Sequence, residues 1–316
     1  MAPKVFGGDW TTSKLRCLDK YLNAYTKALS KQSFETMYID AFAGTGWLTL
    51  KQTEAEEEKS KEPVSQISIM SLFANQAEAS AENSDIPLDG SARIALKVSP
   101  GFDKYIFVEQ DLKRFNELQN LKAEFSEKDI EFSNSDANLF IKQLCQGSNW
   151  IREGKRAVLF LDPFGLNVSW ETIEIIAKTK AIDIWYLFPL GVGLNRLLKV
   201  DGKIEESHRL IIDNVLGTTG WYEIFYKTNV YPGLFGDRTV TEKTADFNTI
   251  CQYFLQRLES VFPAVADNPR MLYNSKRVPI FLLCFASSNP NGANLAKKIA
   301  QDILRTEEQS EYKLKY

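Results

Sequence analysis

The residues best suited to chemistry are one glycine-containing run and the acids that follow it at intervals. Asp40-Ala41-Phe42-Ala43-Gly44-Thr45-Gly46 comes directly after the apolar run 36–39. Glycines are needed where backbone passes close to a ligand, because a β-carbon would clash and positive φ is often required. A G-x-G by itself also makes an ordinary tight turn between strand and helix. Three later acids add to its weight. Glu109 ends the run 104–108, Asp136-Ala137 follows the run 130–133, and Asp162-Pro163-Phe164-Gly165 ends the run 157–161. Ligands of open α/β sheets sit at the carboxyl ends of the strands. There, a carboxylate at Glu109 can accept hydrogen bonds from both hydroxyls of a ribose. One at Asp136 can accept from the exocyclic amine of an adenine, while the Ala137 N–H meets a ring nitrogen. Any one of these acids caps a helix as readily as it binds a ligand. Three at successive strand ends, behind a glycine loop, are less easily put down to capping.

The elements that must hold these residues follow from periodicity. Leu15, Leu18, Tyr21, Leu22, Tyr25 and Leu29 recur at helical spacing, which predicts a helix over 11–31 capped by Thr11, Thr12 or Ser13. Strands are expected at 36–42, 104–109, 130–133, 157–162 and 182–187, and helices at 91–97, 112–125, 137–144 and 170–179. This alternation predicts an α/β fold with a doubly wound, mainly parallel Rossmann-like sheet, residues 1–316 forming a single domain. Two segments interrupt it. Residues 53–90 begin with a charged stretch ending in Pro63 and read as an insertion, partly flexible or loosely helical. Residues 191–270 read as a mostly helical accessory segment before the last strand, 278–286, and a closing helix, 293–304. No internal repeat is present.

Composition excludes several classes. With 316 residues, 44% apolar and 25% charged, the chain can bury a sizeable core, and a net charge of −3 exerts no global pull on nucleic acid. The basic residues Lys4, Lys14, Arg16, Lys20, Lys27 and Lys31 read as a solvated helix face, with Lys14 and Arg16 also able to reach over a pocket at the strand ends. One histidine, His208, leaves no material for a zinc site or a histidine-based triad, so no metal is expected. Cys17, Cys145, Cys251 and Cys284 show no paired spacing, as suits reduced thiols. With no secretory-type start and no apolar run long enough for a bilayer, the expected location is cytoplasmic, without membrane contact. Trp185-Tyr186 reads as core and His208 as solvated, while Asn195-Arg196 is placed to face an acceptor.

Phe42-Ala43-Gly44-Thr45-Gly46 resembles the F-x-G-x-G loop of class I S-adenosylmethionine-dependent methyltransferases. Asp162-Pro163-Phe164-Gly165 resembles the Asp-Pro-Pro-Tyr-type motif of the amino-methyltransferases that modify adenine or cytosine. More closely, the chain is similar to the three-Cys-motif partner protein family, TcmP. That resemblance lies in Tyr38 to Gly46, Ala157 to Gly165, Asp183-Ile184-Trp185-Tyr186-Leu187-Phe188-Pro189 and Leu282 to Ala286, and so covers nearly the whole chain. It implies a sheet of the class I methyltransferase type, with S-adenosylmethionine as cofactor held by Asp40, Phe42, Ala43, Gly44, Thr45, Gly46, Glu109, Asp136 and Ala137. It implies a partner that carries a three-cysteine, radical-S-adenosylmethionine-like motif; this chain has no C-x-x-x-C-x-x-C of its own. The resemblance to the Asp-Pro-Pro-Tyr-type motif implies amino-methylation of nucleic acid, with residues 191–270 recognising the acceptor and a small structured RNA or a protein left open as acceptor by the net charge. Asp162 and the Pro163 carbonyl would accept hydrogens from the target amine, and Phe164 would stack on the base. The second proline of that motif is absent, and Gly165 stands where its aromatic is found.

A non-catalytic scaffold that docks on the three-cysteine protein, in a mobile-element or phage-defence context, is the alternative. A nucleotide-dependent oxidoreductase fits poorly, since the loop lacks a third glycine and Glu109 stands 63 residues beyond Gly46, where a dinucleotide fold expects about 20. The same gap makes the cofactor role of Glu109 depend on 53–90 being an insertion.

Overall fold

The computed structural model describes residues 9–48, 88–232 and 236–315, so nearly all of the expected insertion at 53–90 lies outside the described residues. The parallel core of the sheet is β1 (Glu35–Asp40), β4 (Lys104–Val108), β5 (Ile130–Ser133), β6 (Lys155–Leu161) and β7 (Ile182–Phe188). β12 (Pro279–Ser287) runs antiparallel beside β7, and two short strands, β10 (Ala264–Val265) and β11 (Arg270–Tyr273), pair with its outer edge. The spatial order is β5-β4-β1-β6-β7-β12-β10. The fold is the doubly wound, mainly parallel Rossmann-like sheet that the alternation predicts.

Each strand feeds two cores, because successive side chains point to opposite faces. Met37 and Ile39 join one cluster and Tyr38 the other. That is why these strands read as continuous apolar runs. α1 (Asp9–Leu29), α2 (Ser91–Lys97) and α10 (Ala293–Lys315) cover one face; α5 (Ala137–Gln146), α6 (Trp170–Lys178), α7 (Glu206–Leu216) and α9 (Phe247–Glu259) cover the other. Trp185 and Tyr186 are core residues, as expected. The four cysteines are free and buried. No helix among the described residues is long and apolar enough to cross a membrane.

β1 is flanked by β4 and β6, so the chain winds first one way from β1 and then the other. The crevice of an open α/β sheet forms at this switch, here beyond Asp40. The chain leaves the sheet at β2 (Trp47–Leu48) and re-enters at β3 (Leu88–Asp89), which pair with each other. α2 then makes the crossover to β4, whose Phe107 lies opposite Asp40. The long gap in sequence between Gly46 and Glu109 is therefore a short one in space.

Local expectations fared unevenly. α1 begins before Thr11, so Thr11 and Ser13 are buried within the helix and cap nothing. The predicted helix 112–125 is two pieces, α3 (Leu112–Leu118) and α4 (Leu121–Glu124). The accessory segment holds a π-helical turn (Leu190–Asn195), α7, α8 (Trp221–Phe225) and α9, together with a hairpin of β8 (Tyr226–Tyr231) and β9 (Arg238–Lys243) that periodicity does not reveal. Both faces of the hairpin are largely solvent-exposed, so its strands carry no apolar alternation to read. His208, expected in solvent, is half-buried, with Nδ1 shielded and without a partner.

Candidate functional site

The glycine loop is shaped by backbone more than by side chains. Ala43 N donates to the Val108 carbonyl (2.9 Å), fixing the loop on the end of β4. Gly44 and Gly46 have φ of 60° and 80°, a region that side chains disfavour. Gly46 is boxed in, since a β-carbon there would lie 3.0 Å from Leu121 Cδ1, whereas at Gly44 it would meet nothing within 4 Å. The loop therefore presents open space at its first glycine and packs with its second.

Glu109 lies directly under that opening. Its Oε2 accepts from Gly44 N at 3.0 Å, while Oε1 accepts from Asp111 N (2.8 Å) and from Arg114 Nε and Nη2 (3.2 and 3.0 Å). Glu109 is almost completely buried. The structure thus brings together the glycine loop and the acid that the sequence placed beside it.

Asp40 is fully buried at the end of β1, and its Oδ1 accepts from Phe42 N at 3.2 Å. Burial pushes its carboxyl up to about 7, against hydrogen bonds from the Ser91 hydroxyl and the Phe42 amide; the neighbouring charge of Asp162 adds to the rise. Asp162, at the end of β6, is held by Lys14 at 2.5 Å. Lys14 is buried, so the solvated face predicted for α1 does not include it. It shares the stripe of Leu18 and Tyr21, four and seven residues on, and a charge inside an apolar stripe was the signal that could have identified it. Arg16 and Lys20 do lie at the surface edge, paired to Glu307 at 2.8 and 2.5 Å.

Phe164 follows Asp162 and is exposed, with the Arg114 guanidinium 4.7 Å from its ring centre. Arg114 therefore touches Glu109 on one side and Phe164 on the other, spanning the end of β1 from the β4 side to the β6 side. Pro163 is buried between them in sequence. Asp136 stands apart: its carboxylate accepts from Leu139 N at 3.0 Å as the N-cap of α5, and Ala137 is the buried first residue of that helix. Asn195 accepts from Lys243 Nζ at 2.5 Å, which ties the π-helical turn to the hairpin. The residues missed in the sequence are Arg114, Tyr38 and Ser91, the last two placed around Asp40. No cluster of His, Cys, Asp and Glu able to hold a metal occurs among the described residues.

Chemically, the crevice combines a β-carbon-free backbone opening with three carboxylates at three adjacent strand ends. Such a surface suits a ligand that carries hydroxyl donors and positive charge. No protein-family model matches the sequence, and no curated protein is significantly similar to it. Among solved structures, a protein from Legionella pneumophila is 12% identical (78% of this chain, 92% of that one, TM-score 0.37). An S-adenosylmethionine-dependent methyltransferase from Clostridium acetobutylicum is 9% identical (85% and 90%, TM-score 0.33). The N-terminal domain of EvdMO1, solved with SAH bound, is 9% identical (85% and 80%, TM-score 0.36). Likenesses of this degree bear on neither activity nor substrate.

Proposed function

We propose that the crevice at the end of β1 binds S-adenosylmethionine and that the chain is a methyltransferase. The observation that carries this is the Gly44–Glu109 contact: a nearly buried carboxylate 3.0 Å from the amide of an unobstructed glycine. A ribose beside that glycine would find in Glu109 an acceptor for its two hydroxyls, once Arg114 yields Oε1. The cofactor's positive charge would face Asp162, whose side chain keeps 22% exposure. Bound there, it supplies an electrophilic methyl group. This chain's residues would orient the acceptor and exclude water, so rate would come from positioning and electrostatics.

The finer reading is amino-methylation of nucleic acid, with Asp162 and the Pro163 carbonyl receiving the amine, Phe164 stacking on the base and a three-cysteine-motif protein as partner. Phe164 is exposed, with the Arg114 guanidinium over its ring, so a stacking base would take the place of Arg114. One observation favours the second reading, a non-catalytic cofactor-binding scaffold: Lys14 occupies the carboxylate that the amine would need.

Calorimetric titration of S-adenosylmethionine into the purified chain tests the proposal. We expect micromolar binding, lost in both Gly44→Trp and Glu109→Ala. A folded wild type that gives no heat overturns it. If binding holds, methyl transfer to single-stranded DNA or RNA, abolished in Asp162→Ala, separates enzyme from scaffold.

A further inference from the structure

A second cavity lies at the opposite edge of the sheet, between α1 and α10, at the amino ends of β6 and β7. Its volume is about 90 Å³, room for roughly three waters at ~30 Å³ each. Its floor holds two buried charges of opposite sign, Asp183 and Arg156. The Asp183 carboxylate takes the Tyr21 hydroxyl at 2.7 Å, with Ser287 alongside. Arg156 Nη1 donates to the Lys155 carbonyl (2.7 Å) and the guanidinium packs on Phe34 (4.2 Å), but its buried Nε has no partner. The outer wall is apolar, formed by Leu29, Leu295 and Ile299.

Buried charges are stable only when paired or well hydrogen-bonded. Here an acid and a guanidinium line one space, and the guanidinium leaves a buried donor unused. An amine alone would serve only the acid, and a carboxylate only the guanidinium. A zwitterion serves both and leaves the net charge of the cavity unchanged. We propose that this cavity is a second ligand site, for a small aliphatic α-amino acid. The ammonium lies on Asp183, the carboxylate on Arg156, and the side chain points outward between α1 and α10. The cavity volume limits the part of that side chain held inside it to about one carbon. This site is independent of the crevice at the end of β1 and of whatever binds there.

The test uses the full chain and a series of glycine, alanine, serine and valine, with n-propylamine and propionate as half-ligands. A ligand that binds only the folded state raises the unfolding midpoint. We expect at least one amino acid to do so and to bind with a Kd near or below ~1 mM, each half-ligand binding at least tenfold more weakly. Arg156→Met and Asp183→Asn should each weaken amino-acid binding by tenfold or more, while Arg156→Met leaves the S-adenosylmethionine titration as it is in the wild type. The proposal is overturned if no amino acid shifts the midpoint or gives heat up to ~10 mM, or if either half-ligand matches the best amino acid. The half-ligand comparison is made on the wild type, so it decides the matter even where a variant fails to fold.

Discussion

Asp40 makes a measurable demand on the stability of the fold. It is fully buried, and its carboxyl is raised from the ordinary 3.8 to about 7, first by burial and then by the charge of Asp162. In the unfolded chain the group ionises near the ordinary value, so between the two values the folded state holds a proton that the unfolded state has lost. Stability therefore falls as pH rises through this window. A shift of this size corresponds to about 4 kcal/mol lost once Asp40 is ionised, of which about 2 kcal/mol is lost between roughly pH 5.5 and 8. Asp40→Asn removes the titration and keeps an acceptor for the Phe42 amide. Urea unfolding of both proteins at several pH values, with linear extrapolation to water, gives the difference directly. Asp183, raised to about 6 mainly by burial, tilts stability in the same direction but is present in both proteins and cancels. The variant should gain about 2 kcal/mol on the wild type between pH 5.5 and 8. Parallel pH profiles would show that Asp40 is not buried as an acid, and the account of the crevice would lose its floor.

Two further substitutions probe the same crevice. Lys14→Met strands the Asp162 carboxylate beside Asp40; because Asp162 keeps 22% side-chain exposure, the loss should fall at the low end for a broken buried pair, about 3 kcal/mol. A loss below about 0.5 kcal/mol in urea unfolding would mean that the pair behaves like a surface bridge. Gly46→Ala, with positive φ and Leu121 at 3.0 Å, should cost about 2–3 kcal/mol. Gly44→Ala has positive φ but open space, and should cost about 1 kcal/mol from backbone strain alone. The reverse order in thermal unfolding would refute the assignment of which glycine packs and which opens to the ligand.

The parallel sheet was legible because its strands are buried on both faces, so unbroken runs such as 157–161 and 182–187 permit few other readings. The glycine loop and Glu109 were legible because strand ends are where such folds place ligands. The hairpin of β8 and β9 was not, since its strands are stabilised by each other's backbone and by cross-strand pairs such as Thr228–Thr241 (2.9 Å) without an apolar face. Asp136 illustrates the ambiguity of an acid at a strand end: in the structure it caps α5, the role such a residue plays most often. Arg114 was not singled out, and Lys14, weighed as able to reach over the pocket, was read as solvated, for a different reason. The Asp162 partner of Lys14 lies 148 residues away, so only the charge within an apolar stripe hinted at it, and although Glu109 is five residues from Arg114, the contact of Arg114 with Phe164 crosses the crevice.

These two cations explain how three acids can share one crevice. Carboxylates at adjacent strand ends repel one another, and the fold tolerates them only if each is neutralised. Asp162 is neutralised by Lys14, Glu109 by Arg114, and Asp40 by its raised affinity for a proton. A cationic, hydroxyl-bearing ligand offers the same service from outside. A ligand there would displace or share these internal partners, and Arg114 is the partly exposed one, bound to Glu109 through one oxygen only. Arg114 also rests on Phe164, so the group that leaves Glu109 is the group that covers the exposed ring. The Glu109 and Phe164 sides of the crevice are therefore mechanically linked through one side chain. A movement of Arg114 away from Glu109 Oε1 would also uncover Phe164.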